Sequence, residues 1–185
     1  VFVEPEAPGN VGFMARVMKN FCLHRLVLIK PGELGEEAHY HAMHAQDVLQ
    51  DSVTHHSLEQ FLDEEQVDFA VGTTGAAGGS YNVSRIAITP EKLAESLDPD
   101  AKVALIFGRE GDGLSNQELE LCNVVVTIPT SDEYPIMNIS HAAAVIFYEL
   151  YKNVKTYPRL EVRESSRQER EDIVGFLDQI LGALD

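Results

Sequence analysis

The chain has little cysteine, few basic residues and no long apolar run. Its two cysteines, Cys22 and Cys122, lie far apart with no CxxC spacing, which argues against a disulfide framework or a thiolate zinc site. No stretch reaches the roughly 18 to 20 apolar residues that a bilayer-spanning helix needs, and the N-terminus lacks a basic-then-apolar signal pattern. These absences predict a protein of the reducing cytoplasm with no membrane partner. The chain opens on Val1 rather than Met and stops at Leu184-Asp185, so further residues at the N-terminus and a C-terminal extension are expected.

Basic residues are also scarce: 14 Lys and Arg stand against 30 Asp and Glu, a formal net charge of −16. Taken alone, this argues against a polyanionic partner, because nucleic-acid binding draws on cations at phosphates. The distribution qualifies that reading. Residues 1–30 carry Arg16, Lys19, Arg25 and Lys30 against Glu4 and Glu6, whereas residues 33–100 carry two basic and fourteen acidic residues. The acidity lies away from the N-terminal segment, as a solubility device would, and only the local field near a site acts on its ligand.

What is present reads as one α/β domain. A chain of 185 residues, 44% of them hydrophobic, can bury one sizeable core. Val1–Val3 and Leu26–Ile29 are short apolar runs, and Val11–Phe21 between them has apolar residues at helical spacing. Helices are predicted over Glu36–Leu49 and over Ser57–Glu65 with Ser57 as N-cap, then a strand at Phe69–Gly72. A small-residue loop, Thr73–Tyr81, precedes a helix at Pro90–Ser96 and a strand at Val103–Phe107. The Gly-rich loop Gly108–Gly113 leads to a helix over Asn116–Leu121, a strand at Val124–Ile128 and an apolar helix at Ile139–Tyr151. Alternating strands and helices imply a mostly parallel sheet. Residues 1–156 form this domain. Residues 157–185 read as a charged linker and the start of a helical extension, whose apolar stripe (Ile173, Phe176, Leu177, Ile180, Leu181) needs a partner.

Three loops join Gly to polar residues after a strand, where open α/β sheets place their ligands. They are PGNVG at Pro8–Gly12, GREGDGL at Gly108–Leu114, and IPTSDEYPIMNIS at Ile128–Ser140. Each alone is an ordinary turn. The GxxGxG string of the second is not the dinucleotide fingerprint, since the order differs and no acidic residue follows at the right distance, which sets aside an NAD-type enzyme.

Together, PGNVGFMARVMKNF at Pro8–Phe21, IFGREGDGLSNQEL at Ile106–Leu119 and IPTSDEYPIMNISHAAAVIFYEL at Ile128–Leu150 resemble the three ordered motifs of the SpoU/TrmH (SPOUT) family of RNA 2'-O-ribose methyltransferases. The resemblance spans about residues 1–155, and the wording of the first motif and the YPxMN turn are most similar to the TrmJ branch. It implies a deep trefoil α/β knot, a homodimer whose sites draw on both subunits, S-adenosylmethionine as methyl donor, and RNA as substrate. The expected substrate is tRNA at nucleotide 32 of the anticodon loop, with another tRNA position or rRNA as the alternative. A catalytically silent RNA- or S-adenosylmethionine-binding module is the rival of another class.

Residue by residue, the resemblance implies that Thr73, Thr74, Gly75, Gly108, Glu110, Gly113, Ile128, Pro135, Ile136 and Met137 hold the cofactor. It makes Arg16, Asn10, Glu110 and Asn138 the catalytic set, with Arg16, Lys19, Arg85 and Arg109 meeting RNA; Tyr81 belongs to the same loop as Arg85. The chemistry is consistent with this. A sulfonium methyl is already activated, so the protein's tasks are alignment and removal of one proton from a weakly acidic hydroxyl. A guanidinium is a poor base but an effective bidentate phosphate grip. The chain departs from many relatives at Ile136, where they carry Ser; any hydroxyl role there is absent or passes to Ser140 or Thr130. No metal is expected at His39, His41, His44, His55 and His56, because no Cys or well-spaced carboxylate completes a tetrahedral set. His141 is expected to pack in the knot or at a subunit contact.

Overall fold

A computed structural model of the protein describes residues 1–75, 87–98, 100–154 and 172–177. The chain divides into two units, Val1–Lys155 and Thr156–Asp185. The first contains β1 (Phe2–Val3), α1 (Pro8–Asn20), β2 (Val27–Ile29), α2 (Gly35–Ala42), α3 (Gln46–Gln50), β3 (Val53–His55) and α4 (Leu58–Glu64). It continues with β4 (Phe69–Thr73), β5 (Ala87–Ile88), α5 (Pro90–Ser96), β6 (Val103–Ile106), α6 (Asn116–Glu120), β7 (Val124–Val126) and α7 (Ile139–Val154). In the second unit, residues 172–177 are helical, with Ile173, Phe176 and Leu177 exposed. Ile180 and Leu181 lie outside the described residues.

Every pairing between these strands is parallel. Strands β1-β2-β3 form one ladder and β5-β7-β4-β6 another. A bridge between Phe2 and Phe107, with Val3 N donating to Phe107 O at 2.8 Å and Phe107 N to Val1 O at 2.9 Å, joins them edge to edge. Alternating side chains then build two cores, as the pleat requires. Phe2, Leu28, Val71 and Phe107 pack on one face beneath Met14 of α1, Leu93 of α5 and Ile146 of α7. Val3, Ile29, Ala70 and Ile106 pack on the other beneath Leu58 and Phe61 of α4, with Cys122. Helices cover both faces, the arrangement that lets a parallel sheet bury its backbone.

Local chemistry sets the helix boundaries. Pro8 opens α1, where its missing N–H costs no helical bond, and Val11, Met14, Ala15 and Met18 make its buried stripe. Gly12 brings α1 against α2: a Cβ there would stand 2.2 Å from Ala38 O. Ser57 caps α4 as the sequence predicts, its side chain accepting from Gln60 N. Ser115 and Glu118 form a capping box at α6.

Two expectations need correction. The single helix foreseen over Glu36–Leu49 is broken into α2 and α3, because Met43 takes φ 52° and leaves the helical region. Gln46 fills the break, its Nε2 donating to His39 O and Met43 O at 2.6 and 3.1 Å. Strands β3 and β5, three and two residues long, were not foreseen; runs so short carry no period of their own, and pairing with β2 and β7 makes them strands.

Candidate active site

The C-terminal ends of β4, β6 and β7, with the start of α1, open into one cavity of about 720 Å³, within the range of small-molecule sites. It is where an open parallel sheet places ligands. Thr73, Thr74 and Gly75 line it from the end of β4, Gly108, Glu110 and Gly113 from the loop after β6, and Ile128, Pro135, Ile136 and Met137 from the loop after β7. Asn10 and Asn138 stand in the same lining. The residues singled out as cofactor contacts thus converge on one space.

Backbone geometry sustains the walls. Thr73 Oγ1 donates to Ile106 O at 3.0 Å and Thr74 N to Val126 O at 3.0 Å, so the end of β4 is held between its neighbours. The loop after β6 closes through Arg109 N to Gly113 O and Gly113 N to Arg109 O, at 3.2 and 3.0 Å, with Gly113 at φ 71°. In the loop after β7, Thr130 Oγ1 donates to Pro135 O at 2.8 Å. The Thr130 hydroxyl therefore braces its own loop.

Three polar residues, Asn10 from the first turn of α1 and Glu110 and Asn138 from two loops, meet at the edge of the cavity. The Glu110 carboxylate accepts from Glu6 N, Ala7 N and Asn10 Nδ2 at 2.8, 3.1 and 2.9 Å. Helix α1 has no side-chain cap of its own from Ala7, and this carboxylate, a hundred residues away in sequence, stands at its positive end instead. Burial pushes the Glu110 carboxyl up, but the hydrogen bonds from Asn10 and the backbone N–H groups outweigh it and hold it below the ordinary glutamate value. Asn138 Nδ2 donates to Asn10 Oδ1 at 3.2 Å, and Asn138 Oδ1 accepts from Ser140 N and Oγ at 2.9 and 2.7 Å. Glu6 closes the cluster by accepting from Gly111 N at 3.0 Å. Glu6 was not among the expected site residues, because its partner is distant along the chain.

The cationic expectations fare differently. Arg16 is exposed on α1, lies outside the cavity lining, and makes no hydrogen bond or ion pair among the described residues. Six residues of helix place it about 9 Å along and about 240° around from Asn10. Lys19 is paired with Asp47 at 2.7 Å and also donates to His44 O. Tyr81 and Arg85 lie outside the described residues.

Arg109, expected to meet RNA, is held by two carboxylates of its own chain. Its Nε donates to Glu4 at 2.9 Å, and Nη1 and Nη2 donate to the two oxygens of Glu118 at 3.0 Å each. The Glu118 pairing and that with Glu4 raise its pKa, and the guanidinium donates to groups of its own chain. It ties the cavity loop to the segment after β1 and to the cap of α6. The Arg109 hydrogen bond is the main cause holding the Glu4 carboxyl below its ordinary value; at Glu118 burial pushes upward, but Arg109 and Ser115 win. Depressed carboxyl pKa values give stability that is present above the ordinary glutamate value and lost as pH falls through the folded value. Arg109→Ala is therefore expected to lower the thermal midpoint at neutral pH, with the gap to the unsubstituted protein narrowing in acid. Parallel melts across pH check this; a gap independent of pH would remove the ion pairs as its cause.

The histidines are dispersed. His39 Nδ1 faces Gln46 at 2.8 Å, His41 stacks near Phe13 at 4.3 Å between ring centroids, and buried His55 faces Glu64 and Phe61. No metal-binding group of three His, Cys, Asp or Glu occurs among the described residues. His141, expected to pack in the knot or at a subunit contact, is exposed on the single chain in the first turn of α7.

Comparison with known proteins places this architecture. The chain is 39% identical over 185 residues to the tRNA (cytidine-2'-O-)-methyltransferase TrmJ of Methanocaldococcus jannaschii, covering 98% of this chain and 80% of that one. Other relatives run longer, and this chain spans as little as 58% of their length. The crystal structure of TrmJ from Z. mobilis superposes with a TM-score of 0.74 at 26% identity, covering 98% of this chain and 78% of that one. The AdoMet complex of the SpoU methyltransferase AviRb from Streptomyces viridochromogenes shares the fold at a TM-score of 0.65 and 21% identity, over 83% of this chain and 58% of that one. The model of the SpoU rRNA Methylase family matches residues 1–148, and the chain, with its parallel α/β fold and its converging loops, belongs to that family.

Proposed function

We propose that this protein transfers a methyl group from S-adenosylmethionine to a ribose 2'-hydroxyl of tRNA, at nucleotide 32 of the anticodon loop. The observation that carries the reading is the cavity itself: three strand-end loops wall it, and Asn10, Glu110 and Asn138 are hydrogen-bonded together at its edge. The similarity to a tRNA (cytidine-2'-O-)-methyltransferase supports the substrate class.

The cavity suits the cofactor. Its apolar wall from Val126, Ile128, Ile136 and Met137 can cover an adenine, and the backbone of Thr73–Gly75 and Gly108–Gly113 offers N–H and C=O groups at close range. When bound there, S-adenosylmethionine supplies an activated methyl group. The protein's own residues then align the ribose and shield the site from water. Arg16, exposed and unpaired within the described chain, is free to grip a phosphate of the RNA. Because it stands outside the cavity of its own chain, the reading includes a homodimer in which Arg16 serves the site of a second subunit. The trefoil knot implied by the family, and the separation of a catalytic domain from a helical extension after residue 156, belong to the same proposal.

The test is transfer of labelled methyl to unmodified tRNA transcripts, with the product mapped to a ribose. Labelling at nucleotide 32 is expected. Labelling elsewhere in tRNA or in rRNA would keep the chemistry and move the substrate, and cofactor binding without transfer to either RNA would favour a silent binding module.

A further inference from the structure

Helix α2 lays aromatic rings on the first turns of α1. A Cβ on Gly9 would stand 3.0 Å from His41 Cδ2, and one on Gly12 would stand 3.0 Å from His41 Cβ. The imidazole fits there because neither position has a side chain. From that seat His41 meets Phe13 with 4.3 Å between ring centroids at an interplanar angle of 32°, and Tyr40 meets His41 edge-on at 5.2 Å. The rings are fixed by the helix pair yet face outward: Tyr40 is 74% exposed and Phe13 37%. Met43, the residue that ends α2, is 51% exposed. Among the described residues, these three are the exposed large apolar side chains of α1, α2 and its cap, with no Leu, Ile or Val beside them.

Phe13 stands one helical turn before Arg16, so the rings adjoin the exposed guanidinium. Other cations are scarce. The chain carries a formal charge of −16, Lys19 is paired with Asp47, and α2 has Glu36 and Glu37 in its first turn and no Lys or Arg. A polyanion cannot be held on this face by a run of phosphate contacts. Stacking of a base on a ring is indifferent to the sign of the surrounding charge, and the unpaired bases of a loop are what RNA offers for it. We infer that Tyr40 and His41, backed by Phe13, form a platform on which an unpaired base of the RNA stacks, beside the phosphate that Arg16 grips. The inference rests on the methyl-transfer reading, and the platform accompanies Arg16 to whichever subunit's site that residue serves.

Tyr40→Ala is expected to weaken binding of unmodified tRNA about tenfold, whereas Tyr40→Phe, which keeps the ring, binds within about twofold of the unsubstituted protein. S-adenosylmethionine affinity and the thermal midpoint stay unchanged in both, because Tyr40 is exposed and outside the cavity lining. Salt separates stacking from charge: the slope of log Kd against log salt is expected to be unchanged in Tyr40→Ala and about one unit shallower in Arg16→Ala. 2-Aminopurine placed at each nucleotide of the anticodon loop in turn reads the stack directly. Quenching is expected at one position, lost in Tyr40→Ala and kept in Tyr40→Phe. Unchanged tRNA affinity in Tyr40→Ala, an equal loss in Tyr40→Phe, or a shallower salt slope in Tyr40→Ala would overturn the inference. A smaller species of Tyr40→Ala in sedimentation would assign the rings to contact with a second copy of the chain and overturn it as well. Failure of the unsubstituted protein to bind or methylate any RNA would instead strike the methyl-transfer reading, and the platform with it.

Discussion

Arg16→Ala is expected to cost roughly 10²- to 10³-fold in kcat/KM for tRNA methylation while leaving the thermal midpoint and cofactor affinity unchanged. The separation follows from position. Arg16 is exposed, makes no ion pair or hydrogen bond among the described residues, and stands apart from the cavity, so its removal takes nothing from the fold. Its neighbours on α1, Ala15 and Met14, are buried and do the packing. On the proposed reading its guanidinium, a planar fork of five donors, grips a phosphate of the RNA. Mixing Arg16→Ala with Asn138→Asp decides whose site it serves. If each site combines Arg16 of one subunit with Asn138 of the other, reassorted dimers hold one intact site and recover up to about a quarter of wild-type activity. If both residues act within one chain, the mixture stays inactive.

Gly108→Ala is expected to destabilise the domain by about 2 to 4 kcal/mol and to weaken S-adenosylmethionine binding at least about tenfold. A Cβ on Gly108 would lie 2.2 Å from Gly113 C, 2.3 Å from Leu114 N and 2.5 Å from Gly113 O. These are backbone atoms. They cannot swing aside as a side chain would, because the loop is closed by the paired Arg109 and Gly113 hydrogen bonds and fastened through Arg109 to Glu4 and Glu118. Relief requires opening the loop that walls the cavity. Gly111 in the same loop provides the control: a Cβ there meets only Glu6 side-chain atoms, at 3.4 Å and beyond, which is ordinary contact. Gly111→Ala should fall within about 0.5 kcal/mol of the unsubstituted protein. Denaturant unfolding and calorimetric titration of both variants measure the contrast, and equal behaviour of the two would show that loop closure at Gly108 is not what shapes the cavity.

The long elements were legible in the sequence because their signals are local. The stripe Val11, Met14, Ala15, Met18 identifies α1, and Ser57 marks the start of α4 within a few residues of chain. The loops were legible as loops, and the wording of the three motifs pointed to the family. The break at Met43 was hidden because neither Met43 nor Ala42 is a breaker; the chain turns there so that α2 can pack on α1 through Gly12 and α3 can bury Val48 and Leu49. The pairing of Arg109 with Glu4 was not legible, because Glu4 stands 105 residues earlier.

By itself, then, the sequence determined the parallel α/β class, the order of the main helices and strands, and which loops line the cavity, since each depends on spacing within a few residues or on motif wording. Tertiary structure alone decided what their residues do to one another. It brought Glu110 to the start of α1, turned the Asn10 and Asn138 amides to one polarity, spent Arg109 on Glu4 and Glu118, and left Arg16 exposed outside the cavity. Hydrogen-bond direction and ion pairing fall off within a few ångströms, so they are fixed only when packing of the sheet and helices sets distant parts of the chain side by side.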